Sequence, residues 1–265
     1  MDRFFLLDPG ASRLPGTTLK ASVEDTQGRF TLLENTGDGS VPAHLHNDVD
    51  EFVYVIDGEL EIDVDGHTHH LTRGMCALLP RGVTHAIRGA AHTLRLLAPG
   101  SQDLGHETGD EWGERDRFYV LDKGSARPTR VPVPPAFSVK ARTTDTDGLF
   151  SLLEVTVAQP VPRHTHHVAD ECIYILDGEL EIEFDDTVHT ARQGQFVLLP
   201  HGVPHAIRPG SNPPPRCVQI SSPGGWECVV EALIEHRTEV SKSGRFDPVA
   251  LNRYTRKYHV AYEEV

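Results

Sequence analysis

The stretch HLHNDVDEFVYVIDGELEI at residues 44–62 returns as HTHHVADECIYILDGELEI at residues 164–182. The spacing persists beyond it. His44, His46, Glu51, Gly58, Gly74, Pro80, Gly82 and His85 recur as His164, His166, Glu171, Gly178, Gly194, Pro200, Gly202 and His205, each 120 residues later. No residue is gained or lost between the first histidine and the last, so the chain holds a duplicated domain. Runs rich in valine, isoleucine, leucine and phenylalanine stop at Asp-Gly, Gly-Asp or Pro-Arg-Gly, the punctuation of short strands. The clearest strands are Phe30 to Glu34, Glu51 to Ile56, Glu59 to Val64 and Cys76 to Leu79, with counterparts at Phe150 to Glu154, Glu171 to Leu176, Glu179 to Phe184 and Phe196 to Leu199. Each half therefore reads as mainly β. Gly58 and Gly178, which follow Ile56-Asp57 and Leu176-Asp177, read as turns between two strands.

A chain of 265 residues has room for two such cores, each of a size that folds without covalent staples. Residues 1–114 form the first domain with its linker, the polar, acidic stretch from about Ser101 to Glu114, and residues 115–225 form the second. Residues 226–265 read as a helical tail packed on the second domain. Trp226, Val229, Val230 and Leu233 share a helical stripe behind Ser222 and Pro223 as cap and first turn, and Asp247-Pro248 starts a second helix through Leu251, Tyr254 and Tyr258. The four cysteines, Cys76, Cys172, Cys217 and Cys228, have no CxxC spacing, and Phe4 to Leu7 is too short for a signal peptide, so a cytoplasmic protein with reduced thiols is expected. No apolar run approaches the roughly 20 residues of a membrane span. A formal charge of −14 disfavours nucleic acid, whose phosphates would be repelled.

Three imidazoles and one carboxylate, intact in both copies, point to metal. His44 and His46 are two apart and share one side of a strand, Glu51 opens the next strand, and His85 enters through Pro80-Arg81-Gly82. The expected ligands are His44, His46, Glu51 and His85 in the first half and His164, His166, Glu171 and His205 in the second. Four ligands on an octahedral ion leave about two positions for water, substrate or dioxygen, unlike a closed structural zinc cage. Other histidines read more plainly. His67, His69 and His70 follow a turn, only His69 has a counterpart in His189, and all three are expected to be exposed. His167 and His201 read as rim residues, and Cys172 as packing on the face opposite Glu171.

The spacings H-x-H-x4-E-x6-G and G-x5-P-x-G-x2-H resemble the two motifs of the cupin superfamily, over about 90 residues of each half. The resemblance implies two tandem jelly-roll β-barrels, a bicupin, with a divalent iron, manganese, nickel, cobalt, copper or zinc ion in each. The pattern departs at Asp38 and Ala158, where a glycine is expected, and at Gly89 and Pro209, where an asparagine is expected; none of these is a ligand position. The tail, Pro223-Gly224-Gly225-Trp226 followed by Asp247-Pro248 and Tyr254 to Tyr258, is similar to the segment after the barrel in quercetinase-like bacterial cupins.

The resemblance implies a metal-dependent dioxygenase acting on a small enolisable substrate, aromatic or polyketide-like, with dioxygen as second partner. Glu51 or Glu171 would double as ligand and general base. Two further readings stay open: a non-redox metal-dependent isomerase, cyclase or decarboxylase, and a non-enzymatic small-molecule-binding bicupin. The second half is the expected seat of chemistry, because only it is followed by amphipathic segments able to wall a barrel mouth. Two barrels in one chain imply a monomer or homodimer.

Overall fold

The structure, a computed structural model, describes residues 3–101, 113, 115–242 and 245–264. The expected linker from Ser101 to Glu114 therefore lies almost wholly outside the described residues. Strand Asp50–Val64 runs unbroken for 15 residues, so Asp57-Gly58 is not a hairpin turn. Its first part pairs with Cys76–Leu79 and Ala91–Ala98, and its second with His67–Thr72 and His85–Arg88. The pairing register shifts between Val55 and Asp57. A one-residue shift exchanges the faces of a strand. The core-facing residues accordingly change from odd numbers, Val53 and Val55, to even ones, Leu60, Ile62 and Val64. In the second copy the same passage breaks only at Gly178, between Asp170–Asp177 and Glu179–Phe184.

Gly58 has φ +83°, and a Cβ there would lie 3.0 Å from the Ala90 carbonyl oxygen; Gly178 has φ +76° with Ser211 Oγ at 2.6 Å. Alanine at either position meets both a left-handed backbone and a close neighbour. Gly58→Ala and Gly178→Ala are each expected to cost about 1–3 kcal/mol, measured as a lowered denaturation midpoint; unchanged midpoints would refute the strain.

Two compact units result, and they do not follow a cut at residue 114. One is Gly10–Ala126; the other joins Met1–Pro9 to Arg127–Val265. In the first unit, a path of strands 119–121, 76–79, 50–64, 91–98, 31–35 and 19–21 forms one layer, and the far half of Asp50–Val64 carries the chain into the other with 67–72, 85–88 and 41–44. In the second unit, a six-stranded sheet (5–7, 196–199, 170–177, 216–222, 151–156, 137–141) accompanies a five-stranded one (187–192, 179–184, 205–209, 161–166, 260–262). These are two tandem jelly-roll domains.

The lead strands explain the displaced boundary. Phe5–Leu7 pairs with Phe196–Leu198, and Tyr119–Leu121 pairs with Cys76–Leu78, so each half's lead strand completes the other half's sheet. Arg3-Phe4 and Arg117-Phe118 are a further repeat, but at an offset of 114, out of step with the motifs. Arg3 forms a two-pronged bond to buried Asp170, and Arg117 reaches Asp50 at 2.5 Å.

The helical tail lies on the second unit. Helix Trp226–Glu235 starts from Gly225, three residues later than a Ser222 cap would place it, because Ser222 Oγ instead donates to the Leu149 carbonyl at 2.7 Å. Trp226, Val229 and Val230 join the apolar core, while buried Glu227 accepts from Thr143 N (2.8 Å) and buried Glu231 from Arg142 Nη1 (2.6 Å). Helix Pro248–Thr255 starts where expected, with Asp247 accepting from Val249 N and Ala250 N. Strand Val260–Tyr262 then adds to Val161–His166. None of the four cysteines forms a disulfide, and among the described residues no helix is long and apolar enough to cross a membrane.

Each unit has an apolar cluster of buried side chains that none of the ligand candidates belongs to. Chelated protein is therefore expected to stay β-rich by circular dichroism and to melt cooperatively at a lower temperature, since bound metal adds only its binding free energy to an existing fold. Collapse to random coil on chelation would contradict this.

Candidate metal centres

In each unit the strand pair carrying the histidines sets His44 opposite His85 and His164 opposite His205. The second histidine of each pair of ligands is held through its carbonyl, which accepts from Gly82 N or Gly202 N at 2.7 Å. Glu51 and Glu171 approach from the neighbouring sheet, at Leu79 and Leu199. Among the described residues the eight ligand candidates form two fully buried clusters, His44, His46, Glu51, His85 and His164, His166, Glu171, His205, with donor atoms in each within 4.8 Å of one another.

The donor chemistry fits a cation. Nδ1 faces a backbone carbonyl in His44 (Pro42, 2.8 Å), His85 (Val83, 2.9 Å), His164 (Pro162, 2.9 Å) and His205 (Val203, 3.1 Å). A carbonyl only accepts, so Nδ1 carries a proton, and in the neutral ring Nε2 turns its lone pair inward. In the first cluster Glu51 Oε2 and His85 Nε2 are buried 3.5 Å apart without hydrogen-bond geometry. In the second, Glu171 Oε2 lies 3.2 Å from His205 Nε2 and 3.4 Å from His166 Nε2, and the His164 and His166 Nε2 atoms are 3.0 Å apart. Buried lone pairs converging with a carboxylate repel one another unless a cation lies among them. A divalent transition metal fits each cluster.

Protonation follows the same logic. Burial, then the His205 and His166 rings, hold His164 well below the ordinary imidazole range; burial, then His205 and His167, do the same to His166. Burial opposes charge on Glu51, but the Arg95 guanidinium together with the His46 and His85 rings outweighs it and keeps the carboxyl well below the ordinary value. Burial likewise opposes charge on Glu171, and the His205 and His164 rings with the Gln219 amide outweigh it.

The clusters differ at the outer carboxylate oxygen. Arg95 Nε bonds Glu51 Oε1, whereas Gln219 Nε2 donates to Glu171 Oε1 at 2.6 Å and accepts at its own Oε1 from the Trp226 indole at 2.9 Å. Arg95 and Gln219 were missed in the sequence because their offset is 124, not 120. Four additional residues between His205 and Gln219 break the alignment, and the changed offset is the signal that would have found them. Trp226 and Tyr262 also cover the second cluster, with ring centroids 4.9 Å from His166 and 5.1 Å from His164.

The second cluster opens on a cavity of about 330 Å³, whose wall includes His164, Glu171, Gln219 and Trp226 among apolar neighbours such as Phe137, Ile173, Leu180 and Ile207. In the first unit, a cavity of about 670 Å³ bounded by Ser40, Pro42, Asp63 and Arg88 includes His85 alone of the four candidates. The remaining expectations fall outside the clusters. His67 and His70 are exposed and His69 half-buried against Phe118; His167 is exposed; His201 bonds Asp170 at 2.7 Å; Cys172 is buried.

The model of the cupin domain matches residues 32–98 and 152–219. Quercetin 2,3-dioxygenase of Bacillus subtilis (strain 168) is 36% identical over 250 residues, covering 75% of this chain and 74% of that protein. Among solved structures, protein Ylba from E. coli superposes with a TM-score of 0.59 at 14% identity, over 83% of this chain and 90% of that one. A mutant of salicylate 1,2-dioxygenase from Pseudoaminobacter salicylatoxidans gives a TM-score of 0.51 at 12% identity, over 73% of this chain and 70% of that one. At these identities the structural likenesses speak to the fold alone.

Proposed function

This chain belongs to the cupin domain family and carries that domain twice, and from this premise we propose that it is a metal-dependent dioxygenase whose second domain acts on a small, enolisable, largely apolar substrate. The observation that carries the reading is the apolar cavity with Glu171 and His164 in its wall. The likeness to quercetin 2,3-dioxygenase of Bacillus subtilis supports the oxygen chemistry.

His164, His166, Glu171 and His205 would hold the metal, which when bound supplies Lewis acidity and, if redox-active, a route to dioxygen. The chain's own residues do the rest. Glu171 takes the substrate's acidic proton on its carboxylate, while the Gln219 amide at Oε1 holds that group in place with Oε2 facing inward. Phe137, Ile173, Leu180, Ile207 and Trp226 line a chamber that orients a flat apolar substrate and excludes water from a reactive intermediate.

Protein reconstituted with iron, nickel or manganese and offered flavonol-like and diketone substrates tests the reading. Oxygen uptake equimolar with substrate loss is the expected result. Substrate loss without oxygen uptake would replace it with a non-redox isomerase, cyclase or decarboxylase; tight binding without turnover would indicate a binding protein.

A further inference from the structure

Arg95 and Gln219 occupy one position of the fold. Arg95 is paired with Leu33 and Val53, and Gln219 with Leu153 and Ile173, residues that are themselves 120 apart. Each places a side-chain nitrogen on Oε1 of its cluster's glutamate and leaves Oε2 to face the histidines. One is a permanent cation and the other a neutral amide.

The difference bears directly on metal affinity. Neutral imidazoles contribute no charge, so each donor set carries the single negative charge of its glutamate. In the first centre the guanidinium cancels that charge. Glu51 is fully buried and the Arg95 side chain is 13% exposed, so solvent screens this pair little. In the second centre the charge stands. The Trp226 indole, by donating to Gln219 Oε1, obliges the amide nitrogen to face Glu171, which fixes the carboxylate without a countercharge.

Resting on the metal reading of both clusters, we propose that the centres are unequal by construction: Arg95 makes the first a weaker, more readily emptied metal site, and Gln219, held by Trp226, makes the second the tight one. Arg95 and Gln219 are positioning residues, acting on the ion through the glutamates.

Manganese(II) or zinc(II) titrated into chelated full-length protein by calorimetry tests this, with His166→Ala isolating the first site and His46→Ala the second. The second site is expected to bind at least roughly tenfold more tightly. In the His166→Ala background, Arg95→Gln should tighten the first site toward the second, while Arg95→Lys, which keeps the charge, should not. A purely structural role for Arg95 predicts the opposite direction, a loss of affinity in Arg95→Gln. If that variant does not fold by circular dichroism, Arg95→Met makes the same comparison. Equal affinities in the two single-site proteins, or looser binding after neutralising Arg95, would overturn the proposal while leaving the metal reading intact. Absence of stoichiometric metal from both would overturn the metal reading itself.

Discussion

Replacing His46 and His166 together by alanine is expected to take the metal content of reconstituted protein from about two ions per chain to near zero, and turnover with it. Each replacement removes a buried donor from a cluster whose atoms converge within 4.8 Å, leaving three donors. Disturbing only the outer supports of a metal site commonly costs about 10–100-fold in affinity, and losing a ligand costs more. Either single replacement should leave one ion. Elemental analysis after gel filtration counts them, and a double variant that kept stoichiometric metal would sink the assignment of both ligand sets.

Glu171→Gln is expected to lower turnover by about 10²–10⁴-fold, the span of a lost general base, whereas Glu51→Gln should leave most of it. Glutamine keeps the size of glutamate and removes its charge and basicity. Glu171 stands in the wall of the apolar cavity, and its partner Gln219 is neutral; Glu51 is tied to Arg95, and that pairing favours a fixed carboxylate over a proton acceptor. Metal content must be measured beside turnover, so that a lost ion is not read as a lost base. The reverse ranking would move the reaction to the first domain. Equal partial losses would mean two working sites.

Much of the molecule was legible because its signals are local or repeated without change. The alternation in Glu179 to Phe184 specifies a strand, since only the pleat separates neighbouring side chains by face. Asp247-Pro248 marks its helix, because an aspartate cap and a proline in the first turn both act within a few residues. Where a local signal has two structural meanings, it misleads. Asp57-Gly58 suits a hairpin turn, yet the strand runs straight through it, with its bulge just before, between Val55 and Asp57, and the residues on either side pair with different partners, at Ala91–Ala98 and at His67–Thr72. Ser222 could cap a helix, but the Leu149 carbonyl is the partner it takes.

By itself, then, the sequence determined that two copies of one β domain exist and which eight side chains could meet a metal, because ligand type and spacing survive duplication intact. Only the tertiary structure decided which lead strand completes which sheet, and which residue stands behind each glutamate. Those are choices between segments far apart in the chain, made by sheet pairing and burial. Arg95 and Gln219 lie on the same site of the fold yet out of step in the sequence, so their difference in charge becomes visible only when the strands pair.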